Sequence, residues 1–279
     1  MSKRAQASSG AEVTEHPQIE GIEDGETIID VEFEWFDPQP AVDFHGLKTL
    51  LRQLFDTDNE KFNLSELVDM ILAQPTLGST VKAEGNESDP FAFLTVLNMQ
   101  QLKDKEVMGQ LREYFLARAG HVNGLEEVLE NADARIGLVL GERFINMPHQ
   151  VVPPMYDMLL EEIGWANGDG EEYDFTHYLV VSKTYTEVES ELATEDRPQK
   201  KRRKETAANM GEFYFHPEDE VFHRFAAGFG SYDYENQGES DAKRTFQELG
   251  VKPTGHLIIV DAKKFPDAVK AVGEFLKVE

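Results

Sequence analysis

Apolar positions alternate through Ile29, Val31, Phe33 and Trp35, with Asp30, Glu32, Glu34 and Phe36 between them. A period of two predicts a strand with one apolar face and one largely acidic face. Asp37-Pro38-Gln39-Pro40 stops it, because each proline lacks the backbone donor that a ladder or a helix interior needs. Phe44, Leu47, Leu51, Leu54 and Phe55 then recur at helical spacing, with Asp43 placed as an N-cap. A second helix is expected from Asn63, its stripe being Leu64, Leu67, Val68, Ile71 and Leu72. Asn63 and Glu66 suit a capping pair, and the helix should end at Gln74 before Pro75.

Leu77 to Ala83 and Phe91 to Met99 read as a hairpin joined by a run of turn formers. The second of these, FAFLTVLNM, is apolar nearly throughout, which marks a central strand covered on both faces. Helices are expected over Asp104–Arg118 and Gly124–Ala132, and a strand of central type over Arg135–Gly141. Pro153-Pro154 opens a helix through about Gly164 with Met155, Met158, Leu159 and Ile163 facing inward, proline being tolerated in a first turn. Phe175 to Tyr185 is a long strand; Glu212–Phe215, Val221–Phe229 and His256–Asp261 read as further strands, and Pro266–Leu276 as a closing helix. This order predicts an α/β fold: a single domain with a twisted, largely antiparallel mixed sheet flanked by helices.

Two stretches fall outside the pattern. Residues 1–26 are polar, aperiodic and rich in Ser and Glu, as expected of a disordered tail, which leaves 27–279 as the ordered domain. Within it, a charged aperiodic insertion runs from about 187 to 210. Its first half is acidic (Glu187, Glu189, Glu191, Glu195, Asp196) and its second half basic, ending in Lys200-Lys201-Arg202-Arg203-Lys204.

Charge changes the picture most. Over 279 residues, 53 acidic side chains oppose 27 basic ones, a net charge of −26. Such a surface repels nucleic acid and anionic lipid and attracts basic partners at long range, although solubility alone also accounts for it. No apolar run approaches membrane-spanning length, and the first residues do not resemble a secretory signal. The absence of cysteine excludes disulfides, thiolate metal sites and a cysteine nucleophile, and fits a reducing compartment, cytosol or nucleus.

Motifs for chemistry are sparse. Nothing matches a phosphate-binding Gly-x4-Gly-Lys-Ser/Thr loop, a dinucleotide fingerprint or a Gly-x-Ser-x-Gly elbow; Gly228-Phe229-Gly230-Ser231 comes nearest and reads as a strand end. The eight histidines are scattered and no acidic run has calcium-loop spacing, so no metal and no cofactor is expected. Glu161-Glu162 and Glu171-Glu172 read as solvated faces. Leu47, Leu50, Leu51 and Leu54 have the spacing of an export signal, which an amphipathic helix burying that face explains equally. Lys200 to Lys204 suit an importin groove, which takes an extended basic peptide; counter-charge to the acidic neighbours is the plainer alternative. No aromatic stacking platform is interleaved, so direct nucleic-acid binding is disfavoured.

Three longer blocks resemble the BCCIP family in its fungal form: IDVEFEWFDPQPAVDFHGLKTLLRQLF, LSELVDMILAQPTLGSTVKAEGNESDPFAFLTVLNM and RIGLVLGERFINMPHQVVPPMYDML. The resemblance extends from about residue 27 to the C-terminus, apart from the insertion. It implies a eukaryotic nuclear protein, shuttling to the cytoplasm, that escorts a basic large-subunit ribosomal protein (universal number fourteen). It also implies a tie to nuclear export of a phosphatidylinositol phosphate kinase. Animal relatives are named for binding a recombination tumour suppressor and a cyclin-dependent kinase inhibitor, which makes a cell-cycle or repair adaptor an alternative. The family fold is similar to that of the GNAT acetyltransferases, where a glycine-rich turn before a helix lends N–H groups to a coenzyme A pyrophosphate. At the matching place, between Arg135 and Tyr156, this chain has Glu142 and Val151-Val152-Pro153-Pro154. Two prolines remove two donors, and Glu142 adds a like charge, so the resemblance implies an enzyme fold without its coenzyme site; an acetyl-coenzyme A-dependent acyltransferase is the competing expectation. For an escort, the candidate contact surfaces are the acidic arm (Glu187, Glu189, Glu191, Glu195, Asp196) and the aromatic C-terminal segment (Phe213, Tyr214, Phe215, Phe222, Phe225), the latter equally readable as core.

Overall fold

The computed structural model describes residues 31–74, 76–187, 211–235 and 250–277. The tail at 1–26 and the insertion from 188 to 210 lie outside them. The described strands are β1 (Glu34–Phe36), β2 (Ser79–Lys82), β3 (Ala92–Asn98), β4 (Ile136–Arg143), β5 (His177–Glu187), β6 (Glu212–Tyr214), β7 (Ala226–Tyr232) and β8 (Val251–Asp261). They form one sheet in the order β1-β2-β3-β4-β5-β8-β7, with β6 added alongside β5. All neighbours are antiparallel except β4 and β5. A parallel pair needs a crossover connection, and helix α5 (Val152–Gly168) provides it.

Helices cover both faces. On one, α1 (Phe44–Phe55), α2 (Leu64–Leu72), α3 (Glu106–Leu116) and α4 (Leu125–Glu130) bury Leu47, Leu67, Phe115 and Leu125 against Phe93, Leu97, Leu138 and Leu179. On the other, α5, α6 (Glu218–His223) and α7 (Phe265–Phe275) pack Leu159, Phe222 and Val269 on Leu94, Val96, Val139 and Val180. β3 is buried at every position because its alternating side chains enter two different cores, as its uniform apolarity predicts.

Local chemistry departs from expectation in four places. β1 forms a ladder only over Glu34–Phe36; Val31 to Phe33 precede it without pairing among the described residues. Asp43 does not cap α1 with its side chain. Instead its carboxylate is fully buried, accepts from the Gln39 N–H at 2.7 Å and pairs with Lys82 Nζ at 2.7 Å. The proline corner brings Asp43 over β2, where the buried ammonium needs a counter-charge more than the helix needs a cap. Val221–Phe229 is not one strand: α6 occupies Glu218–His223, its first turn carrying Glu218, Asp219 and Glu220 at the end where the helix dipole favours acids. Gly228 and Gly230 then lie inside β7, not at its end. A Cβ on them would sit 1.9 Å from the Asn123 carbonyl oxygen and 2.0 Å from that of His121, so only glycine admits this crossing of backbone over strand. Asn63 does cap α2, accepting from the Glu66 N–H at 3.3 Å.

Candidate functional site

β4 and β5 pair from Ile136 opposite His177 to Leu140 opposite Val181. Beyond that, β4 stays with β3 as far as Arg143, while β5 takes β6 as its neighbour from Thr184. A wedge opens between Gly141–Arg143 and Ser182–Lys183, at the end of the sheet where α5 begins. Backbone groups facing such a gap lack ladder partners, and side chains replace them.

Glu142 and Lys183 project toward the α1 face and form an ion pair at 2.6 Å. Lys183 Nζ also donates to the main-chain carbonyl of Gln53 at 2.9 Å, and the Gln53 side-chain amide donates to the Arg143 carbonyl at 2.8 Å. On the opposite face, Arg143 grips Glu218 of α6 with two parallel bonds of 2.5 and 3.0 Å. Between the two, His216 Nε2 meets Glu142 at 3.1 Å and Nδ1 meets Ser182 Oγ at 3.2 Å, while Ser182 Oγ donates to Asp219 at 2.5 Å. Glu142, Ser182, Lys183, His216, Glu218 and Asp219 are all buried.

Burial works against ionisation of Glu142, yet the charges of Lys183 and His216 outweigh it and hold the carboxyl down at about 2. Asp219 goes the other way: burial, against the pull of His216, pushes it up to about 7. Three acids (Glu142, Glu218, Asp219) face three bases (Arg143, Lys183, His216). Serine, histidine and carboxylates in line have the composition of a hydrolytic triad. However, Ser182 is 2% exposed and the adjoining cavity is about 30 Å³, room for a water molecule or two. In this geometry the cluster is a strut that joins two strands and α6.

The residues singled out by sequence are distributed differently. Lys200, Lys201, Arg202, Arg203, Lys204, Glu189, Glu191, Glu195 and Asp196 lie outside the described residues. Glu187 is exposed at the end of β5. Phe213 is exposed on β6 and stacks on Tyr185 with centroids 5.3 Å apart; Phe215 is half-buried against the same ring at 4.9 Å. Phe222 is fully buried on α6 between Tyr156 and Phe265, a core residue and not a contact surface, and Phe225 is half-buried at the margin of that core. Glu162 is not solvated: its carboxylate is buried and accepts from the Gly78 N–H at 2.9 Å. Two of the scattered histidines meet, His223 Nε2 and His256 Nε2 at 2.8 Å, with Phe229 stacked on His223 at 3.8 Å. Burial and the nearby His223 lower His256 to about 4, so the pair stays uncharged near neutrality. Among the described residues no group of three metal-ligating side chains converges. Sequence reading missed the wedge; its one signal is Glu142 and Ser182-Lys183 directly following the apolar runs of two central strands.

An open mixed sheet between two helical layers, with the buried polar cluster at its wedge committed to internal ion pairs, defines an α/β protein. The chain belongs to the BCCIP family, whose model matches residues 28–222. It is 56% identical over 269 residues to Protein bcp1 of Aspergillus fumigatus, covering 92% of this chain and 92% of that protein. With Protein bcp1 of Schizosaccharomyces pombe it shares 47% identity over 255 residues, covering 88% and 90%. The crystal structure of BCP1 from Saccharomyces cerevisiae matches with a TM-score of 0.62 at 27% identity, over 88% of this chain and 89% of that one. None of these names states an enzymatic activity.

Proposed function

We propose that the protein is a non-enzymatic nuclear escort that binds a basic large-subunit ribosomal protein, the one of universal number fourteen. The observation that carries this reading is the imbalance of 53 acidic to 27 basic side chains. A free ribosomal protein exposes positive charge meant for RNA; a dense negative field captures it quickly, and apolar contacts then slow its release. The role supports ribosome biogenesis and nuclear export, the latter extending to a lipid kinase cargo, with Lys200 to Lys204 as the importin address. The wedge supports the non-enzymatic part. In a GNAT-like fold a coenzyme would enter where the two parallel strands part, and here Glu142, Lys183 and His216 fill that gap.

Pull-down of the purified ribosomal protein across a salt series tests the reading. Capture should weaken steadily as salt rises; capture unchanged from low to moderate salt would remove charge steering. Changing Lys200–Lys204 to alanine should leave folding intact and turn a fluorescent fusion cytoplasmic. The divergence of β4 from β5 is the specific observation favouring an acyltransferase. Calorimetry with millimolar coenzyme A separates that from the escort, since only the enzyme should give a binding heat.

A further inference from the structure

We propose that the free edge of β1 is a docking strip for an extended, lysine- or arginine-rich segment of a partner protein, added to the sheet as a further strand. The proposal rests on the escort reading and deepens it by giving the basic client a surface. Among the described residues β1 pairs only with β2 and no strand lies along its other edge, where the backbone of Trp35, between the β2-paired Glu34 and Phe36, faces outward. Such an edge is a template for a peptide in β conformation, where main-chain bonds give affinity and alternate side chains give selectivity.

The side chains around this edge say what the strand should carry. On the α5 face, Trp35 is 36% exposed and donates its indole N–H to the Val151 carbonyl at 3.3 Å. Two residues earlier, Phe33 meets Phe91 edge-on at 6.1 Å, Phe91 meets Phe144 at 5.9 Å, and the next residue, Ile145, is 79% exposed. Trp35 and Phe33 thus put apolar surface on this face of the β1 segment. The other side is acidic: Glu32 and Glu34 are exposed on the β1 segment, and Glu84, Glu87 and Asp89 are exposed in the β2–β3 connection. Across residues 31–47 and 76–91 the one lysine or arginine is Lys82, fully buried against Asp43. A strand alternating cationic and apolar side chains would therefore set its cations against Glu32 and Glu34 and its apolar residues against Trp35. The same carboxylates repel a second copy of this chain, which keeps the edge from self-pairing while leaving it open to the opposite sign.

The test uses the full chain carrying Trp165→Phe, which leaves Trp35 as the sole tryptophan reporter. The probe is a synthetic decapeptide alternating lysine and valine, compared with one alternating glutamate and valine and with a Lys/Val peptide N-methylated at alternate residues. The unmodified Lys/Val peptide should shift Trp35 emission saturably; the other two should not. Glu32→Gln with Glu34→Gln should weaken binding about tenfold, in line with two partly screened charge pairs. Equal binding of the Glu/Val peptide, or indifference to N-methylation, would overturn the proposal. So would amide exchange in which the peptide adds no protection at the Trp35 N–H, the β1 amide that faces away from β2, since an added strand must bond there. Pull-down of the ribosomal protein separates this proposal from the escort reading. Full capture by the Glu32→Gln/Glu34→Gln chain removes the edge and keeps the escort; peptide binding without any capture by the wild type does the reverse.

Discussion

The β ladder gives out in two places, and the molecule treats them in opposite ways. Between β4 and β5 the gap is closed by six titratable side chains, Ser182 and Gln53, each finding its partner within the fold. At β1 no described strand continues the ladder, and the carboxylates of Glu32 and Glu34 are exposed. The first is a cost of building a parallel pair inside an otherwise antiparallel sheet. The second is exposed surface among the described residues. Charge at the wedge is paired within the fold, whereas the carboxylates of Glu32 and Glu34 are exposed.

Substitutions should separate the two sharply. Glu142→Ala leaves Lys183 and His216 buried without their anion and should cost roughly 3–5 kcal/mol in chemical denaturation. A much smaller loss would mean that the wedge is wet and not a strut. Gly228→Ala forces a methyl into the Asn123 carbonyl and should cost about 1–3 kcal/mol with a lowered Tm, independently of the wedge.

The pH dependence sharpens the contrast further. The folded chain keeps a proton on Asp219 up to about 7 that the unfolded chain releases near 3.8, so this group makes stability fall as pH rises through that window. Asp219→Asn should flatten that slope. Glu142 acts with the opposite sign. Its contribution is fully present above 4.5 and is lost as pH falls towards about 2. At the outer edge, Glu32→Gln with Glu34→Gln should leave stability within about 0.5 kcal/mol and change only what binds there.

Much of this fold is legible in the sequence wherever one side-chain pattern answers to one environment. The amphipathic stripe of α1, the Asn63 cap and the all-apolar β3 are such cases. Legibility fails where tertiary partners decide. Asp43 reads as a cap until Lys82, thirty-nine positions further on, is seen to need it. Val221 to Phe229 reads as a strand because its apolar residues suit either period, and only the acids before it, docking on Arg143, make its first part a helix. The wedge is invisible for the same reason: Glu142, Lys183 and His216 come from three distant stretches, and no spacing within any of them announces the others. The acidic character of the β1 segment is plain in the sequence, but its place at the end of the described strand order is a property of the sheet and not of the strand.

The strut also has a consequence in time. A chain emerging from its N-terminus holds Glu142 well before Lys183, and both before His216, Glu218 and Asp219; the second flank of β5 waits for β8, later still. Until those C-terminal pieces exist, the central strands carry unneutralised charge in a place that must become dry, so the sheet cannot settle by halves. A ribosome stalled before residue 212 should display a protease-sensitive sheet, and one that has released the whole chain a resistant one.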